Sequence, residues 1–198
     1  MARIDYFFTI LSPWVYIAGN RLEQVAARHG AEITYRPLDA SKLFARTGGL
    51  PLGERHENRK AYRLQDMARQ ARKYDLPINL HPQHWPTNAA PASYAIIAAQ
   101  AAGGGDMGAL IQALGRASWV EEKDIADEAV IRDCLSQTGF AADLANSGLL
   151  IGAEKYTANL EEGIARGVFG SPFYIVGDER FWGQDRIEDL DLHLAGRI

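Results

Sequence analysis

Sulfur is almost absent from this chain, which has one cysteine, Cys134, in 198 residues. An internal disulfide is therefore excluded, and so is thiol–disulfide exchange that needs an attacking and a resolving thiol in one polypeptide. A basic surplus is missing as well. Acidic residues number 25 against 21 basic ones, a formal charge of −4, whereas nucleic-acid binding draws on a concentrated basic face. No apolar run reaches the roughly 18 residues of a membrane span. The opening segment MARIDYFFTILSP carries Asp5 and lacks a small-residue cleavage pattern, so it reads as a strand and not as a signal peptide. His81 and His84 are the only histidines at a ligand-like spacing, and without a companion Cys or acidic cluster no metal site is expected. Cystine content gives no compartment, which leaves cytoplasm as the default. What is present is ordinary globular usage, 47% hydrophobic and 23% charged, enough for one domain or one domain carrying an insertion.

Periodicity orders the elements. Arg3 to Ile10 is rich in β-branched and aromatic residues and stops at a proline, as a buried strand does. From Pro13, the apolar positions Val15, Ile17, Ala18, Leu22, Val25 and Ala26 follow a helical period up to Gly30, with Ser12 as N-cap and Pro13 at the first helical position. A second strand, Glu32 to Arg36, completes a β-α-β unit, so the two strands are expected to be parallel. After the loop RTGGLPLGER the pattern is helical, with helices expected near 54–75, 88–102, 106–117, 127–137, 139–146 and 148–166. Two short strands, SPFYIVG and RFWG, flank a Gly177-Asp178 turn, and a last helix runs from Asp185 to Leu194. The order β-α-β, helical block, β-β-α is that of an α/β thioredoxin-like fold with an inserted all-helical domain. Residues 1–40 and 167–198 would form the thioredoxin-like part and 41–166 the insertion.

A Cys-x-x-Cys motif often occupies the first strand-to-helix turn of such a fold, yet here the four positions are Ser12-Pro13-Trp14-Val15. Ser12 has two readings: a helix cap, or a hydroxyl placed beside free N–H groups where an anion is stabilised. It is not read as a nucleophile, because an attacking serine needs an adjacent, oriented base and no histidine lies near it in sequence. In VFGSPFYIVG, a cis bond before Pro172 would present the backbone of Ser171 to an extended ligand. In WGQDRIEDL, Asp185 is either the N-cap of the last helix or a carboxylate for an ammonium group, with Gln184 beside it.

The stretches ILSPWVYIAGNRL, RTGGLP, KAYRLQDMARQA, WVEEKDIAD and GVFGSPFYIVGDERFWGQDRIEDL together resemble bacterial 2-hydroxychromene-2-carboxylate isomerases and their relatives, the kappa-class glutathione transferases. The resemblance runs the length of the chain. It implies a DsbA-like thioredoxin fold, glutathione as cofactor, and Ser12 as the group that stabilises the glutathione thiolate. It further implies that the Ser171 backbone, before Pro172, pairs with the cysteinyl part of glutathione and that Gln184 and Asp185 hold the γ-glutamyl end. Arg59 or Lys60 would meet a glutathione carboxylate. The chain departs from its relatives at Thr9 and Val15, where many carry Asp and a small polar residue, and at Gly49, which lines up with an Asn that reaches glutathione in some kappa enzymes; the departures bear on substrate identity. Trp14, Tyr62, Trp85 and Trp182 are candidates for the wall of an aromatic substrate pocket, and Arg186 for its carboxylate.

The implied activity is isomerisation of a 2-hydroxychromene-2-carboxylate to the trans-o-hydroxybenzylidenepyruvate in aromatic hydrocarbon catabolism. The alternatives are a kappa-like glutathione transferase or peroxidase and, less favoured, a non-catalytic thioredoxin-fold binding module. The expected partners are glutathione and a small aromatic substrate, with no nucleic acid and no membrane, and a homodimer is left open. The chemistry is affordable without a histidine. A hydroxyl hydrogen bond to an anion is worth roughly 1.5–3 kcal/mol and a helix N-terminus about 0.3–2 kcal/mol, so a thiol near 8.5 can drop on the order of one to three pKa units.

Overall fold

A computed structural model describes residues 1–198. Four strands form one sheet in the order β2-β1-β3-β4: β1 (Arg3–Phe8), β2 (Glu32–Pro37), β3 (Phe173–Val176) and β4 (Glu179–Trp182). β1 and β2 are parallel, as the helical crossover between them demands, while β1 with β3 and β3 with β4 are antiparallel. Period-two alternation sorts β1 between two apolar bodies. Ile4, Tyr6 and Phe8 join the larger cluster; Phe7 joins the smaller one with Leu38, Leu43, Leu160 and Phe173.

The crossover differs from the single helix expected over Pro13 to Gly30. It is split into α1 (Pro13–Ala18) and α2 (Arg21–His29). Gly19 turns out of the helix at φ 61°, a conformation that costs glycine little. Arg21 then reaches back, donating to the Ala18 carbonyl at 3.0 Å and the Ile17 carbonyl at 3.3 Å, and so satisfies acceptors that the break leaves free.

Between β2 and β3 lie α3 (Ala40–Thr47), α4 (Glu57–Lys73), α5 (Ala90–Ala102), α6 (Met107–Trp119), α7 (Glu128–Gln137), α8 (Leu144–Ser147) and α9 (Leu149–Ala165). α3 falls mostly in a stretch given no element from sequence, although its signals are present: Asp39 accepts from the Ser41 and Lys42 N–H groups, and Gly48 ends it in the left-handed region at φ 80°. The helix expected over 139–146 is reduced to the single turn α8. The largest apolar cluster joins β1, α2 and α5 to α7, including Ile4, Val25, Ile96, Leu110 and Leu135, so the helices of the 41–166 stretch share a core with the sheet. α5 is buried nearly all round, and its alanines Ala92, Ala95 and Ala99 allow close approach.

The last helix also starts later than Asp185. Gln184–Arg186 form a 3-10 turn that leads into α10 (Ile187–Leu194). No helix is long and apolar enough to cross a membrane.

Candidate active site

The turn after β1, the loop before β3 and the turn after β4 meet at one end of the sheet. This is a consequence of strand direction, because β3 lies between β1 and β4 and runs antiparallel to both. Ser12 occupies the N-cap position of α1, and its carbonyl accepts from Val15 and Tyr16, but its side chain makes no capping hydrogen bond. The Ser12 hydroxyl instead faces the Ser171 carbonyl at 3.4 Å, a long and weak contact. Ser12 is buried, and the N–H of Trp14 finds no acceptor in the turn before it. Of the two readings of Ser12, capping by the side chain is thus excluded. α1 is only six residues long. Since dipole effects are confined to the first turn, stabilisation of an anion rests chiefly on the hydroxyl and that free N–H.

The Ser171-Pro172 bond is cis, as is Trp85-Pro86. The Ser171 hydroxyl accepts from the Thr9 N–H at 2.9 Å, tying the loop to the end of β1, while the Ser171 N–H has no partner within the protein. Gln184 is buried, and its side chain is occupied by Arg21 and, at 3.4 Å, by Gln70. Arg21, which also stacks on Tyr74 with its guanidinium carbon 3.8 Å from the ring centre, therefore positions the start of the last helix. Asp185 is no cap either. Its exposed carboxylate meets Arg186 at 3.2 Å.

These groups line a cleft of about 1490 Å³, larger than the roughly 300–1,000 Å³ of a typical single-ligand pocket. Ser12, Ser171, Gln184, Asp185, Arg59, Lys60, Trp14, Trp85, Trp182 and Arg186 all border it. Tyr62 does not. Of the α4 residues that border the cleft, Arg59, Arg63, Asp66 and Gln70 follow a four-three-four spacing along one stripe, Lys60 flanks it, and Tyr62 lies beside it with 58% of its surface exposed. Trp182 packs edge-on against Phe169, at 4.8 Å between ring centres. The indole N–H of Trp85 donates to the Leu11 carbonyl at 2.9 Å, which fixes its ring next to Ser12. At Gly49 a Cβ would come within 2.7 Å of the Phe44 ring, so Phe44 occupies the space a side chain there would need.

Charge in the cleft is lopsided in a chain that is acidic overall. Arg55, Arg59, Lys60, Arg63 and Arg186 line it, against the carboxylates Asp39, Asp66 and Asp185. All three carboxylates are engaged: Asp39 caps α3, Asp66 pairs with Arg69 at 2.9 Å, and Asp185 pairs with Arg186. Lys60 is engaged too, with Glu57 at 2.9 Å. Arg59 and Arg63 have no hydrogen-bonded or ion-paired partner, and Arg55 donates only to the Leu50 carbonyl, at 2.8 Å. Burial, with a smaller effect of Arg55, pushes the Arg63 pKa down to about 10; burial and then Arg59 lower that of Arg55. Sequence reasoning missed Arg21, Arg55 and Arg63. The helical stripe on α4 was the available signal for Arg63.

Cys134 is buried in α7, away from the cleft, and burial pushes its thiol up to about 11. The fold and the site thus define a thioredoxin-like protein whose redox positions hold Ser12 and a buried Val15. Residues 3–195 match the family profile described as a DSBA-like thioredoxin domain, and the chain belongs to that family. It is 29% identical over 194 residues, covering 96% of this chain and 97% of the relative, to the 2-hydroxychromene-2-carboxylate isomerase of Sphingobium xenophagum. A solved 2-hydroxychromene-2-carboxylate isomerase shares the fold with a TM-score of 0.77 at 24% identity, over 98% of this chain and 95% of that one. The cytosolic disulfide reductase DsbM from Pseudomonas aeruginosa, solved with GSH, superposes with a TM-score of 0.68 at 18% identity, over 98% of each chain.

Proposed function

We propose that this protein is a glutathione-dependent isomerase that converts 2-hydroxychromene-2-carboxylate to trans-o-hydroxybenzylidenepyruvate. The observation that carries the reading is the non-capping hydroxyl of Ser12, buried in the wall of a cationic cleft whose lining residues Trp14 and Ser171 have unpartnered N–H groups. The relatives named above bear the isomerase name, and a neighbour of this fold accommodates GSH.

The residues present fit the tripeptide. Ser12 would donate to its sulfur, and the free Ser171 N–H and weakly engaged carbonyl would match the backbone of its cysteinyl unit. The exposed Asp185 carboxylate suits the γ-glutamyl ammonium. Arg59, lacking an internal partner, suits a carboxylate; Lys60 would first have to leave its surface pair with Glu57. When bound, glutathione supplies a nucleophilic sulfur whose reversible addition to the ring-opened substrate relaxes a carbon–carbon double bond for rotation. Ser12 and the free Trp14 N–H would keep that sulfur anionic, and Trp14 and Trp85 would offer apolar surface to the aromatic ring. Titration with glutathione, followed at the ultraviolet thiolate band and paired with an isomerase assay on the hydroxychromene, tests this. Saturable binding with the thiolate formed below its free pKa, together with turnover, is expected; failure to bind the tripeptide refutes it.

A further inference from the structure

Arg63 is a guanidinium that the proposed glutathione contacts leave unused and, unlike Arg55, it has no acceptor within the protein. It projects from α4 into the cleft, with no carboxylate within 4.0 Å and no hydrogen bond to any protein atom, and burial makes its charge costly to hold there. Its guanidinium carbon lies 5.2 Å from the ring centre of Trp85, within the range of a cation–π contact. Trp85 packs on Trp119 at 5.4 Å and is pinned by Leu11, one residue before Ser12. The flat indole and the planar guanidinium fork thus stand together in the cleft that Ser12 also lines. Arg186, the cation singled out by sequence, is spent on Asp185 and on Asp189 at 2.9 Å.

We infer that Arg63 is the residue that binds the carboxylate of the second substrate, with Trp85 bordering the place of its ring, so that preference for an acid over its uncharged counterpart depends on this one guanidinium. A partly buried guanidinium without a counter-ion matches a bidentate carboxylate, and an aromatic acid brings both the missing anion and a stacking face. Lysine would keep the charge and lose the fork. This assignment rests on the proposed isomerase reading for what the second ligand becomes, and on the geometry alone for its class.

Calorimetric titration with trans-cinnamate and with its neutral isostere cinnamamide, without glutathione, tests the assignment. The wild-type protein is expected to bind the acid about tenfold or more tightly than the amide, the span of one charge-assisted hydrogen bond. Arg63→Gln should erase that preference and leave amide affinity unchanged, and Arg63→Lys should reduce it. Equal binding of acid and amide by the wild type, no detectable binding of the acid, or a full preference persisting in either variant overturns the assignment. Should Arg63→Gln fail to fold, Arg63→Lys decides. Parallel glutathione titration separates the two ideas: loss of tripeptide binding in the wild type sinks the isomerase reading, while acid preference stands or falls independently.

Discussion

Replacing Ser12 with alanine separates a structural serine from a chemical one. An N-cap serine lost to alanine costs about 0.5–2 kcal/mol of stability, but the Ser12 side chain caps nothing. Its one protein contact is the 3.4 Å approach to the Ser171 carbonyl, longer than a normal hydroxyl hydrogen bond. Stability should therefore fall by less than about 0.5 kcal/mol, below the usual contribution of a formed bond. The thiolate should suffer far more. A hydroxyl bonded to an anion contributes roughly 1.5–3 kcal/mol, which at about 1.36 kcal/mol per unit raises the pKa of the bound thiol by about one to two units. At neutral pH the isomerase rate should drop by roughly tenfold to one hundredfold. Chemical denaturation measures the first quantity; the pH dependence of the thiolate band in the glutathione complex measures the second. A variant that loses more than about 1 kcal/mol of stability while its bound thiol titrates as in the wild type would refute the reasoning and return Ser12 to capping.

Three further outcomes follow from the contacts. Arg59→Gln should weaken glutathione about tenfold or more, whereas Lys60→Gln should change it by less than about twofold, because Lys60 already neutralises Glu57; calorimetry on both variants checks the contrast. Tyr62→Ala should leave the KM values for glutathione and the hydroxychromene unchanged, since Tyr62 lies off the cleft; a KM change of either kind would contradict its placement. Burial alone would raise the Asp5 pKa, but hydrogen bonds from Arg166 at 2.7 Å and Arg36 at 2.8 Å outweigh it and hold the carboxyl below its ordinary value. Its stabilisation is therefore fully present above about pH 4 and lost as pH falls through the depressed pKa. Asp5→Asn should cost roughly 1–3 kcal/mol at pH 7, a difference that shrinks in acid denaturation profiles as the wild type protonates.

Much of the architecture was legible along the chain, because its signals are local. The apolar run of β1, the Ser-Pro start of α1 and the Gly177 turn between β3 and β4 each occupy a few consecutive residues, and their order is enough to name a thioredoxin-like topology. The absence of sulfur at the first turn was equally plain. α3 was missed even though Asp39 and Gly48 mark both its ends, since eight residues give weak periodicity. The break at Gly19 was missed because it is supported by Arg21 and by Gln112, whose amide donates to the Gly19 carbonyl at 3.0 Å from a distant helix.

The sequence by itself determined the order of elements, the want of redox thiols and the presence of Ser12 where the first helix begins. Only the tertiary structure decided that the Ser12 hydroxyl is free of capping, that Tyr62 misses the cleft, and that Arg63 enters it without a counter-ion. Capping propensity and hydrophobic period act over one or two turns. Desolvation and pairing of a charge depend on every segment brought within a few ångströms, and those segments, from Leu11 to Asp185, are separated by most of the chain.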